Sequence, residues 1–291
     1  MTPRISGLVA RALVERDLAN LDRRWRALER APQRPRALHK HREACQRLHA
    51  AVGLLAGFLD DRAIDALETL ASKPKRGTGR FRDADVHARR LARPEAEKPA
   101  PAALVDALGR IGREGRKRAL ARAARRARRV EPRIRDALAE VDPEARAEPL
   151  ARSTAAARAA VLAAAAHGWD DATLHGARIA LKRLRFALEA LAPALDGDAL
   201  DVARRAAEET HDVTRLLGIA TDARAFAERF AENFPAEGPL GEAFEAERAD
   251  MEARGSAART TFLEGLAADR WPTLRETLGL DRLDAPALSV R

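Results

Sequence analysis

Hydrophobic residues return every three or four positions along most of the chain, the spacing that places them on one face of an α-helix. Prolines and glycine-rich stretches interrupt the pattern and mark the ends of elements. A kinked continuation past Pro132 and a short helix after Trp271 are also expected. The pattern predicts loops at 72–79 and 94–101, a linker near 143–149, and helices over residues 8–28, 36–59, 61–71, 82–91, 102–127, 152–167, 170–191, 200–217, 222–233 and 241–266.

The composition favours an all-α fold. Hydrophobic residues make up 46% of the chain and are largely alanine and leucine, while aromatic residues make up 4% and tyrosine is absent. Alanine, leucine, arginine and glutamate are strong helix formers, whereas β-branched and aromatic residues favour strands. The single cysteine, Cys45, excludes an internal disulfide framework. Without a signal-peptide pattern or an apolar run of about 18 residues, the protein is expected to be cytoplasmic.

The charge balance indicates an anionic partner. The 53 Lys and Arg residues outnumber the 44 Asp and Glu residues, which gives a net charge of +9. Such a surplus is typical of proteins that bind nucleic acid, a membrane surface or a polyphosphate-like chain. Arginine, whose planar fork matches phosphate oxygens, far outnumbers lysine. A GC-rich genome accounts for part of this preference, so the composition alone does not identify the partner.

Two pairs of segments align without gaps. Residues 38–49 match residues 174–185, and residues 79–90 match residues 218–229, in the same order and at similar separation. Such a repeat implies two similar helical bundles packed about a pseudo-twofold axis. We therefore expect a single domain over 1–291, with halves at about 1–142 and 150–291.

Basic side chains form a column along each repeated helix. His175, Arg178, Lys182 and Arg185 fall within an arc of roughly 80° beside an apolar stripe. At 5.4 Å per turn the column covers roughly 15 Å, so a linear polyanion could meet a donor at each turn. The same offsets in the first half give His39, Arg42, Gln46 and His49. The alternative is that both columns are ordinary solvated helix faces.

The paired motifs resemble the signature of the CHAD family, the conserved histidine α-helical domain. They are residues 175–185 (HGARIALKRLR), residues 79–86 (GRFRDADV) and residues 216–222 (LLGIATD). The resemblance covers nearly the whole chain and implies two four-helix bundles around a basic central channel. It also implies binding of inorganic polyphosphate and association with polyphosphate granules. Carried over by position, the binding candidates are His39, Arg42, Arg47, His175, Arg178, Lys182, Arg183 and Arg185.

Departures from the family pattern affect the first half. Gln46 and His49 stand where the family usually has basic residues, so His49 stays a candidate but this half is expected to bind more weakly. Asp83, Asp85 and Asp222 are expected to be structural partners of motif arginines rather than ligands of a polyanion.

A further arginine-rich segment follows the second motif of the first half and precedes the linker. Residues 113–135 hold eleven basic residues, and four of them share one helix face. This face is either a second wall of the channel or a solvated surface. The four arginines are Arg118, Arg122, Arg125 and Arg129.

A metal site is a weaker possibility. His41, Cys45 and His49 are spaced at i, i+4 and i+8, which would supply half of a zinc site. Cys45, however, matches the apolar Leu181 of the second half, and no other cysteine is present. We therefore predict neither a metal nor a cofactor.

The same features predict binding rather than catalysis. The sequence has no P-loop, no strand-borne array of alternating glutamates and lysines, and no evident carboxylate cluster for catalytic magnesium. The first hypothesis is non-enzymatic polyphosphate binding. RNA or DNA binding is less favoured because single-strand binders usually need aromatic stacking platforms. A structural scaffold whose charges serve solubility is the third alternative.

Overall fold

The computed structural model describes residues 3–92, 101–114, 116–234 and 237–280. Helices account for 81% of the structure, which confirms the predicted all-α class. The helices are α1 (Gly7–Arg30), α2 (Pro35–Gly53), α3 (Asp61–Ser72), α4 (Gly79–Leu91), α5 (Ala102–Arg113), α6 (Arg116–Ala127), α7 (Val130–Ala139), α8 (Ala151–Ala166), α9 (Asp171–Leu191), α10 (Gly197–Phe230), α11 (Pro239–Ala267) and α12 (Pro272–Thr277).

Three of these helices begin at a side chain that caps the first turn. Ser6 Oγ accepts a hydrogen bond from the Val9 amide at 3.4 Å, and Asp60 Oδ1 accepts one from Ala63 at 2.8 Å. At the start of α9, Asp170 Oδ1 accepts a hydrogen bond from the Thr173 amide at 2.8 Å. Each cap satisfies an amide that would otherwise lack a partner at the helix start.

The strand content is minimal. β1 (Ile5–Ser6) and β2 (Arg146–Ala147) pair antiparallel and tie the start of α1 to the segment after α7. Gly7 fits this contact because a Cβ there would lie 1.9 Å from the Asp142 carbonyl oxygen. None of the described helices is long and apolar enough to cross a membrane.

The core is continuous from α1 to α12. α1 packs on α2, α2 on α3, and α9 on both α8 and α10, while α2 and α9 pack on each other at the centre. Their apolar stripes contribute Leu48, Cys45, Leu181 and Leu184 to one large buried cluster. A second cluster joins α4 and α5 to the C-terminal part of α10, and a third places α6 against α1 and α2.

Several predicted helix boundaries are wrong. The helix predicted over 36–59 ends at Gly53, as α2. The helix predicted over 102–127 is divided into α5 and α6, because Glu114 adopts an extended conformation after α5. The break predicted near residue 218 does not occur, and α10 continues for 34 residues. Gly218 there permits close contact, since a Cβ would lie 3.3 Å from Arg178 Nε. The predicted loop at 94–101 lies almost wholly outside the described residues, as does the tail after 280.

A buried ion pair fixes α6 to α4 and to the loop before α2. Arg116 is 1% exposed, and its Nη2 donates to Asp85 Oδ2 at 2.5 Å. Its Nε donates to the Gly112 carbonyl at 2.7 Å and its Nη1 to the Gln33 carbonyl at 3.1 Å. Burial raises the pKa of the Asp85 carboxyl, and the neighbouring Arg116 guanidinium opposes that shift. Asp85 is therefore a structural partner of an arginine.

Arg116→Met should destabilise the protein strongly. Removing one member of a buried, hydrogen-bonded ion pair leaves the other charge uncompensated and costs about 3–5 kcal/mol. Urea denaturation measures the change in the free energy of unfolding. Arg118→Met, on the exposed side of the same helix, is the matched control and should stay within about 0.5 kcal/mol of the parent protein. Equal stability of the two variants would contradict the assigned role of Arg116.

Candidate functional site

The contact between α2 and α9 brings the two predicted columns to the centre of the molecule. Leu48 on α2 and Leu174 and Leu181 on α9 are at most 1% exposed. Burial of these stripes fixes the rotation of both helices. His39 and His175 are consequently exposed, while Arg42, Arg178 and Lys182 are half-buried.

Six cations from five elements form what we call the central basic cluster. α2 supplies Arg42, the 3-10 turn Lys73–Lys75 supplies Lys75, α4 supplies Arg82, and α10 supplies Arg229. Arg178 and Lys182 on α9 complete it. Burial lowers the pKa of all six, and each of these groups also interacts with at least one other member.

Among the six cations, Arg42 and Lys182 show the largest lowering of the pKa. Burial, together with Arg82 and Arg229, lowers the pKa of Arg42 to about 10. Burial and the surrounding Arg178, Arg185, Arg82 and Lys75 lower the pKa of Lys182 from 10.5 to about 8. Burial is the larger cause of both shifts, and the neighbouring positive charges lower the two pKa values further.

We infer that the cluster lies on a concave surface that water reaches, which we call the recess. Desolvation by the surrounding protein raises the pKa of the Asp222 carboxyl. The Asp222 side chain is nevertheless accessible to solvent. A group that is surrounded by protein and still reached by water lies in a recess open to solvent. His39 and His175 combine the same two properties. Desolvation by the surrounding protein lowers the pKa of each imidazole, although both side chains are accessible to solvent.

Each motif arginine lies over a glycine of the second motif. A Cβ at Gly218 would lie 3.3 Å from Arg178 Nε, and a Cβ at Gly79 would lie 3.9 Å from the Arg42 guanidinium. Arg42 Nη1 also donates to the Lys75 carbonyl at 2.9 Å and to Thr78 Oγ1 at 2.8 Å. Arg178 Nε is buried and has no hydrogen-bond partner among the described residues. The two guanidinium groups are thus positioned before any ligand binds.

Two carboxylates border the cluster. Asp83 accepts a hydrogen bond from Arg82 at 2.8 Å and forms an ion pair with Arg229. Asp222 interacts with Arg178, Arg82 and Arg90. Asp83 therefore pairs with a motif arginine as predicted. Asp83 is paired with two arginines, whereas the charges of Arg178, Arg82 and Arg90 act on Asp222 without a direct ion pair among the described residues.

Arg47 and Arg185 contact a carboxylate beside the cluster. Arg47 Nη2 lies 2.6 Å from Glu189 Oε2, and Arg185 Nε lies 3.5 Å from Glu189 Oε1. Arg185 also contacts His211. They line a separate cleft of about 620 Å³ between α2, α9 and α10. The carboxylate between them compensates their charge, so the predicted four-residue column on α9 is divided after Lys182.

His49 and Arg183 also differ from their predicted surroundings. His49 is buried, its Nδ1 lies 3.0 Å from the Glu68 carbonyl oxygen, and burial lowers its pKa to about 4. The imidazole is therefore neutral near pH 7 and belongs to the interior. Arg183 is exposed at the edge of the cluster, where it lowers the pKa of Lys75.

The proposed half-site for zinc is a buried structural contact. His41 Nε2 lies 3.7 Å from Cys45 Sγ, and both side chains are fully buried. Burial raises the pKa of the Cys45 thiol to about 12, which opposes formation of the thiolate that zinc requires. His41 packs edge-on against Trp25 at 5.2 Å, while His49 faces Glu68. These donors do not converge on one point.

The predicted arginine face of α6 does not join the central basic cluster directly. Its four side chains are exposed, and none takes part in an ion pair formed within the described part of the chain. These residues are Arg118, Arg122, Arg125 and Arg129.

Sequence reasoning missed three members of the cluster. Arg82 stands inside a repeated motif, and Arg229 aligns with Arg90 in the repeat, so both carried a signal. Lys75 lies in a segment whose proline and glycines indicated only a loop. Its position depends on the hydrogen bond between its carbonyl and Arg42, a long-range contact without a local sequence signature.

The fold and this cluster define an all-helical protein in which six cations from five elements lie together. Residues 12–214 match the model of the CHAD domain, and the chain belongs to the CHAD family. Its structure is similar to that of PptA from Streptomyces chartreusis, with a TM-score of 0.58 and 20% identity over 89% of this chain and 98% of that one. The CHAD domain from the plant Ricinus communis matches with a TM-score of 0.57 and 21% identity over 97% and 96% of the two chains. A search of curated protein sequences returned no match.

Lys182 should titrate well below an ordinary lysine. We expect an apparent pKa near 8 when its ammonium group is followed by NMR against pH. Arg178→Gln should raise that value, because it removes a neighbouring positive charge. Titration at the ordinary value of about 10.4 would show that the cluster does not hold the ammonium group as described.

Proposed function

We propose that the protein binds inorganic polyphosphate, without catalysis, in a basic channel that the central basic cluster lines. The observation that carries this proposal is the convergence of six cations from five elements on one recess, with burial lowering the pKa of each. A polyanion in the recess would relieve their mutual repulsion. Charge-assisted and often bidentate bonds from arginine to phosphate would supply the affinity.

The proposed channel lies between two halves related by duplication. Asp83 pairs with Arg229, while Asp222 interacts with Arg90. In the sequence repeat Asp83 aligns with Asp222 and Arg90 aligns with Arg229. This exchange of partners is the relation expected across a twofold interface. The matching positions of Arg42 over Gly79 and Arg178 over Gly218 support the same symmetry.

A phosphate chain suits the recess better than a nucleic acid does. Single-stranded nucleic acids usually bind through aromatic platforms as well as cations. Phe186 is the aromatic residue beneath Lys182, and it is buried, with Arg47 and Arg185 also packed over its ring. A chain of phosphates has no bases and needs only the cations. The CHAD resemblance favours the same ligand.

Binding without catalysis fits the surroundings of the two carboxylates. Phosphoryl transfer requires bound metal ions as well as positioned cations. Asp83 pairs with Arg82 and Arg229, and Asp222 lies within the electrostatic influence of Arg178, Arg82 and Arg90. The proposed role is therefore retention of the polymer, with a cytoplasmic location beside polyphosphate granules as part of the proposal.

Loss of three cluster cations should abolish tight binding. We expect Arg42→Gln, Arg178→Gln and Lys182→Gln together to weaken binding of long-chain polyphosphate by roughly 100-fold or more, since each charged hydrogen bond is worth about 1.5–3 kcal/mol. Calorimetric titration at two salt concentrations, with single-stranded RNA of matched charge as competitor, measures this effect. Arg23→Gln, Arg62→Gln and Arg205→Gln, all exposed, form the control with the same change in net charge.

Three outcomes are informative. Tight binding that RNA does not displace, and that only the cluster variant loses, supports the proposal. Equal competition by RNA would favour the nucleic-acid alternative. Binding that is indifferent to salt and to both variants would favour a scaffold role, and circular dichroism would verify that each variant folds.

Affinity for polyphosphate should fall as the pH rises through 8. Lys182 binds phosphate in its charged form, and its pKa in the free protein is about 8. The favourable contribution is complete well below pH 8 and is lost as the free amine becomes neutral. Lys182→Arg should flatten the profile between pH 7 and 9, because arginine stays charged. An unchanged slope in that variant would assign the pH dependence to another group.

A further inference from the structure

Four exposed arginines continue the line of α6. Arg118, Arg122, Arg125 and Arg129 follow one another at intervals of three or four residues, and we call them the arginine ladder. At 1.5 Å per residue the three ladder arginines on α6 extend over about 10 Å, and Arg129 follows in the turn after Ala127. All four side chains are exposed. The ladder therefore presents about one guanidinium group for each helical turn.

Packing prevents α6 from turning this face inward. Leu120 and Ala123 lie in the buried cluster with Trp25 and Leu28, and Ala119 on the same face is 1% exposed. At the start of the same helix Arg116 is held by Asp85 and by two backbone carbonyls. Because the opposite face is fixed in the core, the ladder has to face solvent.

The ladder lacks the carboxylates that usually accompany surface arginines. Residues 116–130 contain eight arginines and lysines and no aspartate or glutamate. On α11, by contrast, Arg248 Nε lies 2.7 Å from Glu245, and Arg254 Nη2 lies 2.5 Å from Asp250. Like charges one turn apart destabilise a helix. The ladder thus carries a denser uncompensated charge than the arginines of α11 do.

A basic surface links the ladder to the central basic cluster. α6 packs against the 3-10 turn Lys73–Lys75. Arg126 Nη1 donates to the Arg76 carbonyl at 2.9 Å, and the Arg76 side chain is exposed. Lys75, the preceding residue, belongs to the cluster and interacts with Arg42. A ligand that leaves the recess beside Lys75 would therefore meet Arg76 and then α6.

We propose that the arginine ladder is a second contact surface for the same polyphosphate chain, which continues from the recess along α6. This inference rests on the proposed function and adds a dependence on polymer length. The occupant is a phosphate chain rather than a lipid surface, because membrane-binding helices expose large apolar residues. Leu120, the only large apolar residue in 116–127, is buried.

The test compares a short ligand with a long one. Arg118→Gln, Arg122→Gln and Arg125→Gln are combined, with the Arg23, Arg62 and Arg205 triple variant as control. Binding of tripolyphosphate and of long-chain polyphosphate is measured at several salt concentrations. We expect the ladder variant to bind the long chain at least 10-fold more weakly, with the salt slope reduced by about 2, since each phosphate contact contributes about 0.7. Binding of tripolyphosphate should equal that of the control.

The other possible results of this experiment each have a defined interpretation. Long-chain affinity equal to that of the control would overturn the ladder as a binding surface. Loss of RNA binding with unchanged polyphosphate binding would make α6 a nucleic-acid surface and also overturn the proposal. Failure of the proposed function would give a different result. The cluster variant would then bind tripolyphosphate as tightly as the parent protein does. Thermal unfolding of the ladder variant should match or exceed that of the parent, which excludes misfolding as the cause.

Discussion

The apolar contact between α2 and α9 is the interaction on which the arrangement of the site depends. Leucine and alanine stripes on both helices are buried at the centre of a core that extends to α1, α8 and α10. Each fully buried leucine contributes about 1.5–3 kcal/mol. That energy holds Arg42, Arg178 and Lys182 beside one another although their charges repel. Hydrophobic packing therefore maintains an electrostatic arrangement that would not be stable alone.

The carboxylates around the recess set how much of that repulsion remains. Asp83 neutralises Arg82 and Arg229 at one side, while Asp222 acts on Arg178 and Arg82 from the other. Lys182 has no comparable partner among the described residues, and its pKa falls furthest from an ordinary lysine. The residual positive charge is thus least compensated around Lys182. A ligand with many negative charges would gain most at this place.

Much of this organisation could be predicted from local sequence. The helical periodicity located most elements, and the repeated motifs located Arg42, Arg178 and Lys182. The predictions that failed concerned features that long-range contacts determine. Gly218 suggested a helix end, but it serves the approach of Arg178, and the division of α5 from α6 leaves Arg116 to bind Asp85. His49 shares a helix position with Arg185, yet it is buried against Glu68.

The arginines outside the central basic cluster lie in three different environments. The rotation of each helix decides which environment its arginines occupy. Arg116 faces the core and is bound by a carboxylate and two carbonyls. Arg47 and Arg185 lie at the surface but share Glu189, so they retain little free charge. Arg118, two residues from Arg116, faces solvent without a carboxylate in its own helix. A count of basic residues therefore says little about anion binding. The direction of each guanidinium and its nearest carboxylate decide whether its charge is available to a phosphate.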